Sequence, residues 1–225
     1  TQSLGITIDK LLPISGKARV VYVLGYESKK LMQVNILMGH PVDTNIVIID
    51  VTSPATADQL LAHLADIHFG AADPKVLEAA ARHIEQAAPH AVVVAGDLTQ
   101  SGKRSEFDAA RQWLLDLGLP CACIPGNHDT PMFQLHHRLL RPFARYEKRL
   151  SEFAFPLRAG GIHVDGLNTA RGWQARHNWA EGSVDLGDLE ELVSAPAKAA
   201  VRLLACHHPF ISPTGAPLQT ATRRG

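Results

Sequence analysis

Four short polar motifs, each directly after an apolar run, hold the side chains of this sequence that could do chemistry. Aspartate, histidine and asparagine dominate them, and their carboxylate, imidazole and amide groups are ligands for divalent cations. Because none of the motifs contains cysteine, they do not indicate a thiolate-bound structural zinc site. The motifs are Asp66-Ile67-His68, Gly96-Asp97, Gly126-Asn127-His128-Asp129 and His207-His208-Pro209.

Each motif has a chemical rationale as part of a metal site. In an extended chain Asp66 and His68 point to the same side, because side-chain direction has a period of two, so both could chelate one ion. The two carboxylate oxygens of Asp97 could bridge two cations. Asn127 offers a neutral carbonyl oxygen, and His207 offers an imidazole nitrogen. A mixed set of nitrogen and oxygen ligands favours Mn, Fe, Zn or Co.

Taken singly, most of these motifs also have an ordinary structural explanation. Asp-x-His occurs at strand ends by chance, Gly-Asp is a common turn composition, and His-His-Pro could be a loop. The string Gly-Asn-His-Asp after an apolar strand is more specific. Because all four motifs follow predicted strands, the set as a whole predicts a metal site.

The elements that must position these motifs alternate between strand and helix from residue 60 onward. Such alternation indicates an α/β fold, and in open α/β sheets the functional sites form at the carboxyl ends of the strands. The predicted strands are Leu60–Ala65, Ala91–Ala95, Cys121–Ile124, Gly161–Leu167 and Val201–Ala205. The predicted helices begin at Asp73-Pro74, cover Lys103–Leu117, cover Pro131–Ser151 with a break at Pro142, and cover Asp188–Val193.

The first 59 residues differ in character and contain no motif with chemistry. Their apolar, β-branched runs predict short strands or hairpins. These runs are Arg19–Leu24, Leu31–Met38 and Ile46–Val51. We therefore predict a short β-rich N-terminal extension of unknown role over residues 1–59, followed by the metal-binding domain over residues 60–225.

Composition and charge narrow the class of partner. Lys+Arg and Asp+Glu both number 22, so the formal net charge is zero and gives no reason to expect nucleic acid or an anionic membrane as a partner. No apolar run is long enough to span a membrane, and no leader-peptide pattern opens the chain. The 3 cysteines are too few for a disulfide framework, which predicts a cytoplasmic protein.

The four motifs, in this order, resemble those of the calcineurin-like metallophosphoesterase superfamily. The strings LAHLADIHFG, VVVAGDLTQSG and IPGNHDTP are similar to the bacterial branch that contains cyclic-nucleotide phosphodiesterase-like proteins. The resemblance covers about residues 60–213. It implies a four-layer α/β/β/α sandwich with two divalent metal ions at the strand ends.

The resemblance also implies a role for each matching metal ligand. Asp66 and His68 would hold the first ion, and Asp97 would bridge both ions. Asn127 and His207 would hold the second ion. His207 is chosen over its neighbour because the family ligand precedes proline by two positions.

Two further residues receive a catalytic role from the resemblance. His128 is not a ligand in the family; it faces the phosphate together with Asn127 and would assist the leaving oxygen. Asp129 would orient the imidazole of His128, as carboxylates do elsewhere. Apart from the resemblance, His177 in the loop Gly172–Gly182, which holds two tryptophans, is a further candidate substrate contact. Arg171 and Arg176 could meet a phosphate, although an arginine on the surface is the ordinary explanation for both.

The reaction predicted on this basis is hydrolysis of a phosphodiester, either a cyclic nucleotide or a small glycerophosphodiester, by a binuclear metal-dependent phosphohydrolase. Two cations about 4 Å apart would clamp the non-bridging oxygens, and a hydroxide between them would attack phosphorus in line. A small phosphoester is thus the expected partner. The sequence leaves the oligomeric state open.

One feature departs from the family pattern. The family completes its site with a Gly-His-x-His motif that gives one histidine to each ion, and no histidine follows His208 in this sequence. We therefore expect the chain to be incomplete at its C-terminus, or to have lost the motif, with each ion one protein ligand short. The alternative function is a catalytically impaired fragment or a phosphate-binding module.

Overall fold

The computed structural model describes residues 60–175, 178–194 and 201–208, together with strands at 20–23, 45–50 and 222–223. The predicted strand Leu31–Met38 and the candidate contacts Arg176 and His177 lie outside the described residues. Within them, no helix is long and apolar enough to cross a membrane.

The chain alternates strands and helices, so the predicted α/β class is confirmed. The strands are β1 (Val20–Val23), β2 (Asn45–Asp50), β3 (Leu60–Ala65), β4 (Ala91–Ala95), β5 (Cys121–Ile124), β6 (Leu157–Ala159), β7 (Ile162–Leu167), β8 (Gly182–Ser183), β9 (Val201–Cys206) and β10 (Thr222–Arg223). The helices are α1 (Pro74–Ala87), α2 (Arg104–Asp116), α3 (Leu135–Leu140), α4 (Ala144–Leu150) and α5 (Leu186–Ser194), with a 3₁₀ turn at Ser151–Phe153.

Local sequence explains where the helices begin and break. Asp73 is the N-cap of α1, and its Oδ1 accepts a hydrogen bond of 2.9 Å from the N–H of Lys75. Pro74 follows as the first helical residue, where its missing N–H costs nothing. Pro142 separates α3 from α4, as the sequence predicted, because proline cannot continue a helix.

Two four-stranded sheets form the frame of the domain. The first has the order β2-β3-β4-β5, with β2 antiparallel to β3 and the other neighbours parallel. The second has the order β1-β9-β7-β6, with only β6 antiparallel to its neighbour. The residues before position 60 therefore contribute one edge strand to each sheet.

The sheets pack face to face, and helices cover their outer faces. Leu61 and Val93 of the first sheet share a buried cluster with Val164 and Leu203 of the second. On the outside of the first sheet, α1 and α2 bury their apolar side chains, including Phe107, in a second cluster. With α5 on the outside of the second sheet, the described part of the domain forms the predicted α/β/β/α layers.

A buried ion pair fixes α5 to the second sheet. The Nε of Arg202 donates to Asp165 Oδ2 at 2.7 Å, and Nη1 donates to the carbonyl oxygen of Val193 at 3.3 Å. His163 Nε2 lies 2.9 Å from Asp165 Oδ1. The guanidinium therefore satisfies a carbonyl at the C-terminal end of α5, where a positive charge also suits the helix dipole.

His63 is a polar side chain buried without compensation between the two sheets. It lies on the same face of β3 as Leu61, which packs in the inter-sheet core. It is only 4% exposed, and its Nε2 has no hydrogen-bond partner among the described residues. Burial disfavours the charged imidazole and lowers the pKa of His63 from 6.5 to about 4.

This burial predicts a loss of stability in acid that His63→Leu should remove. Because the folded pKa lies below the unfolded value of 6.5, the unfolded chain takes up a proton first as the pH falls from 6.5 to about 4. The free energy of unfolding is therefore not reduced by this residue above pH 6.5. As the pH is lowered from 6.5 to about 4, His63 reduces it by up to about 3 kcal/mol.

Chemical denaturation of the metal-free protein at pH 7.5 and pH 5 measures the effect. The leucine variant should be at least as stable as wild type at pH 7.5 and should lose less stability at pH 5. His136→Leu, on an exposed position of α3, is the control. The same loss in wild type and His63→Leu would show that His63 does not contribute.

Candidate metal centre

The predicted ligands lie at one edge of the sandwich because the strands that precede them are parallel. Asp66 follows β3 directly, Asp97 follows β4 by two positions, and His207 follows β9 directly. The two sheets meet here: the His207 Nδ1 lies 2.8 Å from the carbonyl oxygen of Ala95, the last residue of β4. Side chains from both sheets thus converge on a single site.

Asp66, His68 and Asp97 form the centre of this site. One ligand atom from each lies within 4.8 Å of the other two. His68 Nε2 is 3.9 Å from Asp66 Oδ1 and 4.0 Å from Asp97 Oδ2. These separations are too long for direct hydrogen bonds, so two carboxylates and an imidazole face a common point where a cation could be bound.

The backbone brings these side chains together in an unexpected way. Asp66, His68 and Asp97 have φ angles of 54°, 54° and 53°, in the left-handed region that non-glycine residues rarely adopt. The interpretation of Asp66 and His68 as neighbours on an extended chain is therefore wrong. Two backbone bonds hold the turn instead, from Asp66 N to the oxygen of Gly96 at 3.2 Å and from His68 N to the oxygen of Asp97 at 3.0 Å.

Three imidazoles of the site are anchored in the same manner. In each, Nδ1 lies within hydrogen-bond distance of a main-chain carbonyl oxygen. Since a carbonyl only accepts, Nδ1 carries the proton and Nε2 remains as the ligand or base. The pairs are His68 with Thr99 (3.3 Å), His128 with Gln100 (2.8 Å) and His207 with Ala95 (2.8 Å).

The structure places His207, and not His208, beside Asp97. His207 Nε2 is 3.4 Å from Asp97 Oδ2, whereas both nitrogens of His208 contact Thr169 and Ala180. Burial would lower the pKa of His207, but the charge of Asp97 and a hydrogen bond to it raise that pKa to about 9. Burial opposes ionisation of Asp97, yet His207 and His128 hold its pKa well below the usual range.

The turn after β5 supplies Asn127 and His128. The N–H of His128 donates to Asp97 Oδ1 at 2.9 Å, and the backbone oxygen of Asn127 accepts from the Thr130 hydroxyl at 2.8 Å. The ring of His128 packs edge-on against that of His68, with centroids 4.7 Å apart. The turn is thereby fixed to two predicted ligands, Asp97 and His68.

Asp129 fixes the backbone of the site. Its fully buried carboxylate accepts hydrogen bonds from the N–H groups of Leu98, Thr99 and Gly126 and from the hydroxyl of Thr99. Burial and the nearby charge of Asp97 raise the pKa of Asp129 to about 6. The prediction that Asp129 orients the imidazole of His128 directly is therefore corrected, because a main-chain carbonyl holds that ring.

Two glycines let the chains approach the ligands. A Cβ on Gly96, which has a φ of +87°, would lie 2.6 Å from the His207 ring. A Cβ on Gly126 would lie 2.1 Å from Asp97 Oδ1 and 2.4 Å from Asp97 N. Since one of these clashes is with backbone, no change of rotamer could relieve it.

Gly126→Ala is therefore expected to displace Asp97 and reduce bound metal. The overpacking should also cost roughly 1–3 kcal/mol of stability. Gly187→Ala is the matched control, because its nearest contact, Asp185 Oδ1 at 3.3 Å, belongs to a side chain that can move. Metal analysis and thermal unfolding of both variants test this. Wild-type metal content in Gly126→Ala would contradict the steric argument.

The donor set fits divalent cations of the transition series. It combines carboxylates with imidazoles whose Nε2 atoms are available, the combination expected for Mn, Fe, Zn or Co. All three cysteines are free thiols, and burial raises the pKa of Cys121 to about 12. Sequence reasoning missed Thr99 and Gln100, whose main-chain oxygens anchor two imidazoles and leave no residue-type signal.

Comparison with known families gives one match that covers most of the chain. A family model described as calcineurin-like phosphoesterase matches residues 60–221. This range includes every predicted ligand. It also includes both residues with a predicted catalytic role.

Three curated proteins are similar to parts of the chain. The glycerophosphodiester phosphodiesterase GpdQ of Enterobacter lignolyticus (strain SCF1) is 31% identical over 147 residues, covering 57% of this chain and 53% of that protein. A probable cyclic nucleotide phosphodiesterase of Synechococcus sp. (strain ATCC 27144) is 35% identical over 49 residues, covering 22% and 19%. The uncharacterized protein YpbG of Bacillus subtilis (strain 168) is 26% identical over 152 residues, covering 66% and 52%. The chain thus spans about half the length of the first and third relatives.

Proposed function

Because the chain belongs to the calcineurin-like phosphoesterase family, we propose that it is a binuclear metal-dependent phosphodiesterase. Its substrate would be a small phosphodiester. The proposed metal ligands are Asp66, His68, Asp97, Asn127 and His207. His128 is the proposed general acid, and Asp129 supports its loop.

The position of Asp97 between two imidazoles is the observation that supports this proposal most. Its Oδ2 lies 4.0 Å from His68 Nε2 on one side and 3.4 Å from His207 Nε2 on the other. A carboxylate in this position is suited to bridge two ions, one beside Asp66 and His68 and the other beside Asn127 and His207.

The metal ions, His128 and Asn127 would have different roles around the phosphate. When bound, two divalent cations supply positive charge for the phosphate oxygens and lower the pKa of water, so that a nucleophile is available near neutral pH. His128 is anchored through its Nδ1–H, so in the doubly protonated form of the ring it can pass the Nε2 proton to the departing alcohol oxygen and become a neutral imidazole. The amide of Asn127, on the same turn, would contact both metal and phosphate.

The names of the similar proteins support a diester rather than a monoester. One is a glycerophosphodiester phosphodiesterase and another a probable cyclic nucleotide phosphodiesterase.

The three free cysteines favour a cytoplasmic location for the protein. The zero net charge favours a small phosphoester as its partner over nucleic acid or an anionic membrane.

A comparison of two chromogenic substrates tests the proposed function. The protein is stripped with chelator, titrated with Mn²⁺ and assayed with bis(p-nitrophenyl) phosphate and p-nitrophenyl phosphate. We expect metal-dependent hydrolysis with a higher kcat/KM for the diester. Preference for the monoester would refute the diester assignment. Stoichiometric metal binding without hydrolysis of either substrate would favour a phosphate-binding module instead.

A further inference from the structure

His208 and Thr169 form a closed pair of hydrogen bonds next to the metal centre. The N–H of His208 donates to the Thr169 hydroxyl oxygen at 3.1 Å, and that hydroxyl lies 2.8 Å from His208 Nδ1. His208 Nε2 lies 2.8 Å from the carbonyl oxygen of Ala180. Since this carbonyl only accepts, Nε2 carries the proton and Nδ1 accepts from the hydroxyl. Both ring nitrogens are thereby satisfied.

These bonds hold both ends of one loop, whose described residues, 168–175 and 178–182, we call the aromatic loop. Thr169, at its start, is 0% exposed, and its backbone oxygen accepts from the N–H of Ser183 at 2.9 Å. At its end, a Cβ on Gly182 would lie only 2.5 Å from Cβ and Cγ of His208. A single imidazole therefore packs between the beginning and the end of the loop.

The aromatic loop begins at the edge of the sheet where the proposed metal ligands lie. β7 and β9 are parallel, and Leu167 is aligned with Cys206. The loop follows Leu167 just as His207 follows Cys206, so the loop begins beside a proposed ligand.

A second attachment joins the aromatic loop to the helix that follows the His128 turn. Arg138 of α3 donates from Nε to the carbonyl oxygen of Gly172 at 2.8 Å, and its guanidinium lies 5.6 Å from the ring centroid of Trp179. Trp173 is 53% exposed. The loop is thus attached to α3 as well as to His208, and it exposes Trp173 to solvent.

We propose that His208 and Thr169 are positioning residues that hold the aromatic loop ready to bind a planar organic group of the phosphodiester substrate, such as a nucleobase or a nitrophenyl ring. This inference rests on the proposed function and names its substrate class. Neither residue touches the reacting atoms. If the bonds are lost, part of the free energy of substrate binding is used to order the loop. The loss therefore raises KM and leaves kcat little changed.

Thr169→Val and Thr169→Ser form the matched pair for the test. Valine has the shape of threonine without the hydroxyl, so both His208 N–H and Nδ1 lose their partner; serine keeps the hydroxyl. Bis(p-nitrophenyl) phosphate is the aromatic diester and glycerophosphoethanolamine the diester without a ring. For the aromatic diester, Thr169→Val should raise KM about tenfold, with kcat and metal content near wild type, and Thr169→Ser should restore the wild-type KM.

The second diester and a measurement without turnover make the result decisive. The KM for glycerophosphoethanolamine should change much less, and equal changes for both diesters would overturn the proposed substrate class.

Acrylamide quenching of tryptophan fluorescence tests the loop without turnover. In a Trp113→Phe background it reports Trp173 and Trp179 alone, because the chain has 3 tryptophans. Quenching should increase in Thr169→Val; unchanged quenching would overturn the positioning role. Absence of diesterase activity in wild type would refute the proposed function, while quenching still tests the loop.

Discussion

Replacing Asp97 with alanine is expected to remove more bound metal than any other single substitution in the site. Its carboxylate is the proposed ligand of both ions, whereas each other ligand serves one. The change also removes the acceptor of the His128 N–H and the negative charge that faces the His207 imidazole. Both ions should be lost, and phosphodiesterase activity with them.

Metal analysis of purified variants tests this expectation. Asp66→Ala and His207→Ala should each retain more metal than Asp97→Ala. Asp108→Ala is the surface control, since Asp108 lies on α2 and pairs with Arg149 away from the proposed ligands. Two ions retained by Asp97→Ala would end its proposed role as the bridge.

The second large effect is expected at His128. As a proton donor to the leaving oxygen, it should contribute about 10²–10⁴-fold to kcat. His128→Ala should lose that factor and keep metal content near wild type, because the residue is not a proposed ligand. With a good leaving group such as p-nitrophenol, which needs little protonation, the loss should be smaller than with an alkyl diester.

This dependence on the leaving group separates acid catalysis from structural damage. His136→Ala, which changes an exposed histidine on α3, should leave both rates unchanged. A kcat for His128→Ala equal to wild type on the alkyl diester would rule out the proposed role. A loss of metal in this variant would indicate instead that its ring, packed against His68, supports a ligand.

The central strands could be predicted from the sequence alone because local signals agree there. The bounds of β3, β4 and β5 match the predicted ones, since each is an apolar run closed by a polar or proline-containing motif. The family could be predicted because its motifs lie at the ends of these strands, and the family model that matches residues 60–221 confirms it. Helix α1 likewise begins at the predicted Asp73-Pro74 pair.

Other features could not be predicted, because they depend on non-local pairing or on main-chain atoms. β6 has only three residues, Leu157–Ala159, too few for a periodic pattern. The pairing of β2 with β3 and of β1 with β9 joins the first 59 residues to both sheets, and no local motif specifies either partner. The carbonyl anchors of the histidines carry no residue-type signal at all.

At the left-handed residues of the metal centre, a stable fold and a complete set of metal ligands favour different residue types. A non-glycine residue in this region costs roughly 1–2 kcal/mol, and Asp66, His68 and Asp97 all adopt it. In the metal-free protein, Asp66→Gly should therefore be more stable than Asp66→Ala by about 1 kcal/mol, the reverse of the usual order within helices. Glycine would relieve the backbone at these three positions but would remove the carboxylates and the imidazole that are the proposed metal ligands, so a more stable fold and metal binding cannot both be had there.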